Sequence, residues 1–210
     1  MRTRIYAVLT LAATLTIAGC ASDADDPDVG ANGSPEVAVE PEPGPAVDSE
    51  ILAAQGIEGL DVRGVIDTLD TVTLGERSTS FIASIRPNEL YLTDEEGLEE
   101  SVPMPDDSFY VSFAPFINQT HPCHFHSLTT CVGELQNVDI HVLVTDNTSG
   151  ETLLDEDVTT YDNGFYGIWL PRDLDDVTLT VEYDGMTAQT PISTSGDEDA
   201  TCVTEPLQLS

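Results

Sequence analysis

A usable pattern of apolar and polar positions begins near Ser49, and from there to about Asn88 the apolar residues recur at helical spacing. Asp48 or Ser49 can cap a helix through Ile51, Leu52 and Ala53, which Gly56 ends. Asp61 can cap a second, with Val62, Val65, Ile66 and Leu69 on one face. A third is expected over residues 76–86, carrying Phe81, Ile82 and Ile85 and stopped by Pro87. From Glu89 the pattern changes to strands. Leu90-Tyr91-Leu92 predicts a brief one. Residues 109–117 predict a stronger one, whose end Pro115 confines to an edge or loop. Val138, Ile140, Val142 and Val144 alternate with Asp139, His141, Leu143 and Thr145, as in a half-buried strand. Turn signals at Asn147-Thr148-Ser149-Gly150, Asn163-Gly164 and Asp184-Gly185 separate runs over residues 151–160, 165–170, 177–183 and 186–192. The pairs Asn163-Gly164 and Asp184-Gly185 read as hairpins, and a last strand is expected over residues 203–209. The fold class is therefore α+β: a small, mainly helical part over residues 49–100, then a β-sandwich-like domain over residues 101–210.

The first 48 residues carry a different signal. Arg2 and Arg4 precede an apolar stretch over residues 5–17, and Ile17-Ala18-Gly19-Cys20 follows. A basic start, an apolar core and small residues before a cysteine predict a lipoprotein signal peptide over residues 1–19. Cys20 is then the lipidated first residue of the mature chain, exported and facing the periplasm or the cell exterior. The apolar stretch is too short for a transmembrane helix, which takes about 20 residues. Residues 20–48, rich in Asp, Glu, Pro, Gly and Ala, predict a disordered tether between lipid and folded part.

Charge narrows the partners. The chain has 39 acidic and 6 basic residues, a formal net charge of −33, and no lysine. Two of the arginines fall in the expected signal peptide, which has no acid, so the mature chain is more acidic still. Such a surface repels nucleic acid and anionic lipid, so nucleic-acid binding is excluded and membrane contact is expected only through the Cys20 lipid. The acids are spread along the chain, as suits a solvated surface in saline surroundings. An acidic surface that attracts cations is the other reading.

The candidate chemistry lies in the cysteines and histidines. With Cys20 taken by lipid, three cysteines remain, and an odd number cannot all pair within one chain. His121-Pro122-Cys123-His124-Phe125-His126-Ser127-Leu128-Thr129-Thr130-Cys131 gathers two cysteines and three histidines in one connection between strands. Cys202 follows the loop over residues 193–200, and a sandwich can bring that loop to the same end. Thiolates with imidazole suit Cu(I) and zinc. The C-x₇-C spacing is not that of a structural zinc site, which puts copper ahead of zinc. Two metal-free classes stay open: a thiol–disulfide redox protein, although a C-x-x-C pair is lacking, and a structural surface lipoprotein with one disulfide. His141 is expected on the exposed face of its strand, and Met104 is expected to fill a gap rather than bind metal.

Residues 109–123, FYVSFAPFINQTHPC, with Phe125-His126-Ser127-Leu128-Thr129-Thr130-Cys131-Val132-Gly133-Glu134-Leu135, resemble the signature of the CueP family of periplasmic copper-binding proteins. Asp162-Asn163-Gly164-Phe165, Gly167-Ile168-Trp169-Leu170-Pro171-Arg172, Thr201-Cys202 and the stretch 57–87 match too, so the resemblance covers nearly everything from Ser49 on. It implies copper resistance outside the cytoplasm, binding of Cu(I), reduction of Cu(II) by thiols, and delivery to a partner such as an exported Cu,Zn superoxide dismutase. It implies metal ligation by Cys123, Cys131, Cys202 and His126. His124 is an addition to the family pattern, and it and His121 are further candidate ligands. Cys123 and Cys131, on one loop, are the expected redox thiols, which makes this a stoichiometric reductant rather than a turnover enzyme. A homodimer is compatible with all of this.

Overall fold

The computed structural model describes residues 43–210. The expected signal peptide, Cys20 and the tether as far as residue 42 lie outside the described residues. The tether's last residues are tied down: the Gly44 and Val47 amides donate to the Asp61 carboxylate and the Leu60 carbonyl, each at 2.7 Å.

Ser49 Oγ accepts from the Leu52 amide at 3.1 Å and starts α1 (Glu50–Ala54), which buries Ile51 and Leu52. Asp61 accepts from the Gly64 amide at 2.8 Å and starts α2 (Val62–Asp70). The inner face of α2 carries Val65, Ile66 and Leu69, and also Asp70 at its last position. Both helices pack on an antiparallel sheet of β1 (Phe81–Ile85), β2 (Glu89–Asp94) and β3 (Glu99–Pro103), in the order β1-β2-β3.

β1 occupies the place where a third helix was expected over residues 76–86. In the observed strand Phe81, Ala83 and Ile85 point inward and Ile82 outward, 50% exposed. A five-residue apolar run satisfies both periods, and the β-branched isoleucines and the unpaired edge of β2 decide for the strand. The part over residues 49–100 thus contains two short helices and a three-stranded sheet.

A second sheet has the order β10-β4-β7, from β4 (Ser108–Phe113), β7 (Tyr166–Pro171) and the two-residue β10 (Cys202–Val203). A third, antiparallel throughout, has the order β6-β5-β8-β9, from β5 (Asp139–Asp146), β6 (Thr152–Thr159), β8 (Val177–Tyr183) and β9 (Met186–Ile192). The second sheet lies between two cores. Phe109, Val111, Phe113, Ile168 and Leu170 meet Val142, Val144, Leu179 and Val181 of the third sheet. On the opposite face Tyr110 and Trp169 join the core of the helices and first sheet, so every residue of β4 is buried. Met104 fills a gap in that core, as expected.

Asp184-Gly185 turns β8 into β9 with both residues at positive φ, 50° and 76°. Asn163-Gly164 is a turn but not a hairpin. β6 pairs with β5 and β7 with β4, so this turn carries the chain from one sheet to another. The expected last strand is reduced to Cys202–Val203, because Pro206 directs the chain into a 3₁₀ turn over Glu205–Leu207. Among the described residues no helix is long and apolar enough to cross a membrane.

Candidate metal centre

The connection between β4 and β5 carries the cysteine–histidine motif, and backbone pairing wedges it between β1 and β10. The Ile85 amide donates to the His126 carbonyl at 2.7 Å, and the Leu128 amide to the Ala83 carbonyl at 2.9 Å. On the other side the Thr201 and Cys202 amides both donate to the His124 carbonyl at 3.0 Å. Thr201 Oγ1 accepts from the His126 amide at 3.0 Å and donates to the Ile85 carbonyl at 2.6 Å, tying all three segments together.

Within this frame the sulfurs converge. The Cys131 amide donates to the Ser127 carbonyl at 3.1 Å, a turn that folds the seven intervening residues back on themselves. Cys131 Sγ thereby lies 3.6 Å from Cys123 Sγ and accepts from the Ser127 amide at 3.4 Å. Cys123 is joined by a disulfide to Cys202, 79 residues away, with their Cα atoms 5.6 Å apart, and Cys131 is the free, buried thiol. The redox pair expected from the sequence was Cys123 with Cys131. The two are adjacent, but the observed bond takes Cys202 instead, which β10 delivers to the same point.

His126 is fully buried. Its Nε2 faces Asp70 Oδ1 at 2.9 Å, and its Nδ1 has no hydrogen-bond partner. A ring nitrogen of His126 lies within 4.8 Å of the Cys131 and Cys202 sulfurs. Asp70 is held in turn: the Tyr110 hydroxyl donates to its Oδ2 at 2.7 Å, and Asn163 Nδ2 to its Oδ1 at 3.1 Å. Burial alone would raise the Asp70 carboxyl, but the His126 charge and these hydrogen bonds overcome it and hold the carboxyl below its ordinary range. Burial alone would lower His126, but the Asp70 charge and hydrogen bond, with Cys131 adding to them, raise it to about 9. The Cys131 thiol is likewise raised by burial and more than compensated by His126, which lowers it. A carboxylate on the far nitrogen of an imidazole is the arrangement that orients metal-bound histidines.

A second trio of donors, His121, Cys123 and Cys131, also lies within 4.8 Å. His124 is exposed, with Nε2 2.9 Å from the Glu198 carbonyl, and belongs to neither trio. His141 stands on the outer face of β5 between Asp155 and Asp157, away from the sulfurs, as expected of a surface histidine.

Sequence reading missed Asp70, Tyr110, Asn163, Thr201 and Arg77, whose guanidinium donates to the Cys131 carbonyl at 2.7 Å. Asp70 left one trace: four residues after Ile66, it is an acid on the apolar face of a helix. Asn163 was hidden by its turn role, and Thr201 was marked only as the neighbour of Cys202 in the family signature, with no role assigned to it.

A free buried thiol, a disulfide beside it and an imidazole with an unpartnered buried nitrogen gather at one point of a β-rich frame, donor types that suit a soft metal ion once the disulfide is reduced. The chain belongs to the CueP family: the model of that family, described as periplasmic copper-binding protein CueP, matches residues 64–207. It is also similar to the crystal structure of S.CueP, with 42% sequence identity and a TM-score of 0.70 over 79% of this chain and 100% of that chain. No curated protein matches it.

Proposed function

We propose that the protein is an exported, lipid-anchored copper handler that binds Cu(I) through Cys123, Cys131, Cys202 and His126 and reduces Cu(II) with its own thiols. The observation that carries this reading is the unpartnered Nδ1 of buried His126 beside the free thiol of Cys131. Soft thiolates with one imidazole favour Cu(I) over harder ions and suit trigonal coordination. Copper is the cargo. In the redox step two Cu(II) ions each accept one electron. The electrons come from the Cys123 and Cys202 thiolates, which have given their protons to solvent and join as the disulfide. Two Cu(I) ions result. The bond between these two sulfurs favours them as the pair. Cys131 and His126 then remain as donors for one Cu(I), the other passes to an external ligand, and the full four-donor site is present only in the reduced protein.

Cys20 would hold the protein at the membrane, and an exported Cu,Zn superoxide dismutase or similar cuproenzyme would receive the copper. The test is to mix fully reduced protein with Cu(II) and follow Cu(I) with a chromogenic chelator. About one Cu(I) per thiol oxidised is expected, and a Cys123→Ser variant should release far less. Equal Cu(I) from both removes Cys123 from the redox pair, and Cu(I) still appearing when Cys123, Cys131 and Cys202 are all replaced by serine rules out the redox step. A metal-free thiol–disulfide protein is favoured by one observation, the Cys131 thiol 3.6 Å from a disulfide sulfur. Failure of the reduced protein to compete with the chelator for Cu(I) would decide for it.

A further inference from the structure

The cysteines and histidines form two donor trios that share one member. His121, Cys123 and Cys131 make one; Cys131, Cys202 and His126 make the other. Each fits within 4.8 Å, about the span that a single ion with bonds of about 2.0–2.3 Å can bridge. Among the described residues no such grouping joins His121 to His126. The trios differ in depth. His121 and Cys123 are partly exposed, whereas His126 is 0% and Cys202 1% exposed. Phe165, fully buried, lies against both imidazoles, its ring centre 6.3 Å from that of His121 and 4.8 Å from that of His126.

We infer that the reduced protein offers Cu(I) two overlapping positions, an outer one on His121, Cys123 and Cys131 through which the ion arrives and leaves, and an inner one on Cys131, Cys202 and His126 where it rests. The inference rests on the Cu(I) reading above and gives His121 a role in transfer rather than in holding. Movement inward breaks the bonds to His121 and Cys123 as bonds to Cys202 and His126 form. Cys131 stays bound throughout, so the ion is never without a thiolate. No electron moves in the exchange. The depth difference gives the direction: the inner position is dry and oriented by Asp70, whereas the outer one meets solvent, where an incoming ligand on a partner or chelator can take hold. Ligand exchange through a shared donor avoids the bare ion, whose cost in a buried site is high.

Two variants of the reduced protein separate the roles. Equilibrium competition with a chromogenic Cu(I) chelator reads holding, and stopped-flow transfer to excess chelator reads passage. The His121→Ala protein should keep its Cu(I) affinity within about threefold but transfer copper about tenfold more slowly, whereas His126→Ala should lose about tenfold or more in affinity. His126→Gln serves as a second inner-site variant should the alanine disturb folding. Wild-type transfer rates in His121→Ala overturn the inference, and so does an affinity loss in that variant equal to the loss at His126. If the wild-type protein takes no Cu(I) from the chelator at all, the copper reading itself falls, and this inference with it.

Discussion

Asp70 Oδ1 lies 2.9 Å from His126 Nε2, between two side chains that water does not reach. One stands at the end of α2 and the other in the loop after β4, so the contact joins the helical part to the centre. Removing one partner of such a pair leaves the other buried without compensation, at a cost of about 3–5 kcal/mol. We expect Asp70→Asn to fall toward the lower end of that range, because the amide oxygen can still accept one hydrogen bond. With the imidazole no longer oriented, Cu(I) affinity should drop about tenfold. Urea unfolding and chelator competition on the reduced protein measure the two effects, and unchanged affinity would remove Asp70 from the centre.

Tyr110 reaches Asp70 by lying across Gly167. A Cβ at position 167 would land on the Tyr110 hydroxyl and 3.1 Å from the Asp70 carboxylate. The glycine therefore gives way to a neighbouring side chain, and no positive φ is involved. Gly167→Ala should destabilise the protein by about 1–3 kcal/mol, as overpacking does. The ring carbon that bears the hydroxyl also collides with that Cβ, so Tyr110→Phe should not relieve the clash, whereas Gly167→Ala with Tyr110→Ala should cost less than the sum of the two single variants. Strict additivity would mean that the clash lies elsewhere.

The two helix caps, the half-buried strand over Asp139–Asp146 and the Asp184-Gly185 hairpin were legible because each rests on local chemistry or a clear period. β1 was not, because a five-residue run fits two periods and the choice is made by β2, which lies later in the chain. The convergence of Cys123, Cys131 and Cys202 could be anticipated from motif and family resemblance. Which two would bond could not, because that depends on where β10 pairs beside β4. The support of His126 was also hidden. Asp70 and Asn163 lie 56 and 37 residues from it and meet only when α2 docks against the second sheet.

Glu134 organises the start of the same loop. Its carboxylate accepts from the Ile117 and Asn118 amides at 2.6 and 2.9 Å and from the Asn118 side chain at 2.9 Å. Slight burial works to raise the carboxyl, but these hydrogen bonds, with the Gln119 amide, outweigh it and lower it to about 2. A carboxyl lowered on folding stabilises the protein above its ordinary value of 4.5 and loses that contribution as pH falls toward about 2. The group is near solvent, so the contribution at neutral pH is taken as about 1 kcal/mol. Glu134→Gln should therefore be less stable by about that amount at pH 7, and the two proteins should converge between pH 4.5 and 2. A difference that does not change across that interval would rule out the titration of Glu134 as its source.

Trypsin shows whether the disulfide includes Cys202, because the chain has no lysine and its arginines after Cys20 are Arg63, Arg77, Arg86 and Arg172, and chymotryptic cleavage after Phe125 then separates Cys123 from Cys131. Pro87 protects the bond after Arg86, so tryptic cleavage places Cys123 and Cys131 together in the fragment 78–172 and Cys202 in the fragment 173–210. After alkylation of free thiols and digestion, the oxidised protein should show the two fragments joined on a non-reducing gel, with one alkyl group on the larger. In Cys202→Ser the fragments should separate. The larger should then carry no alkyl group, because Cys123 and Cys131 have sulfurs 3.6 Å apart and are left to pair with each other. The Cys131→Ser protein should keep the fragments joined and carry none either. Separate fragments from the oxidised wild type, with the alkyl group on residues 173–210, would make Cys123–Cys131 the native bond and Cys202 the free thiol, exchanging the roles argued for those two residues.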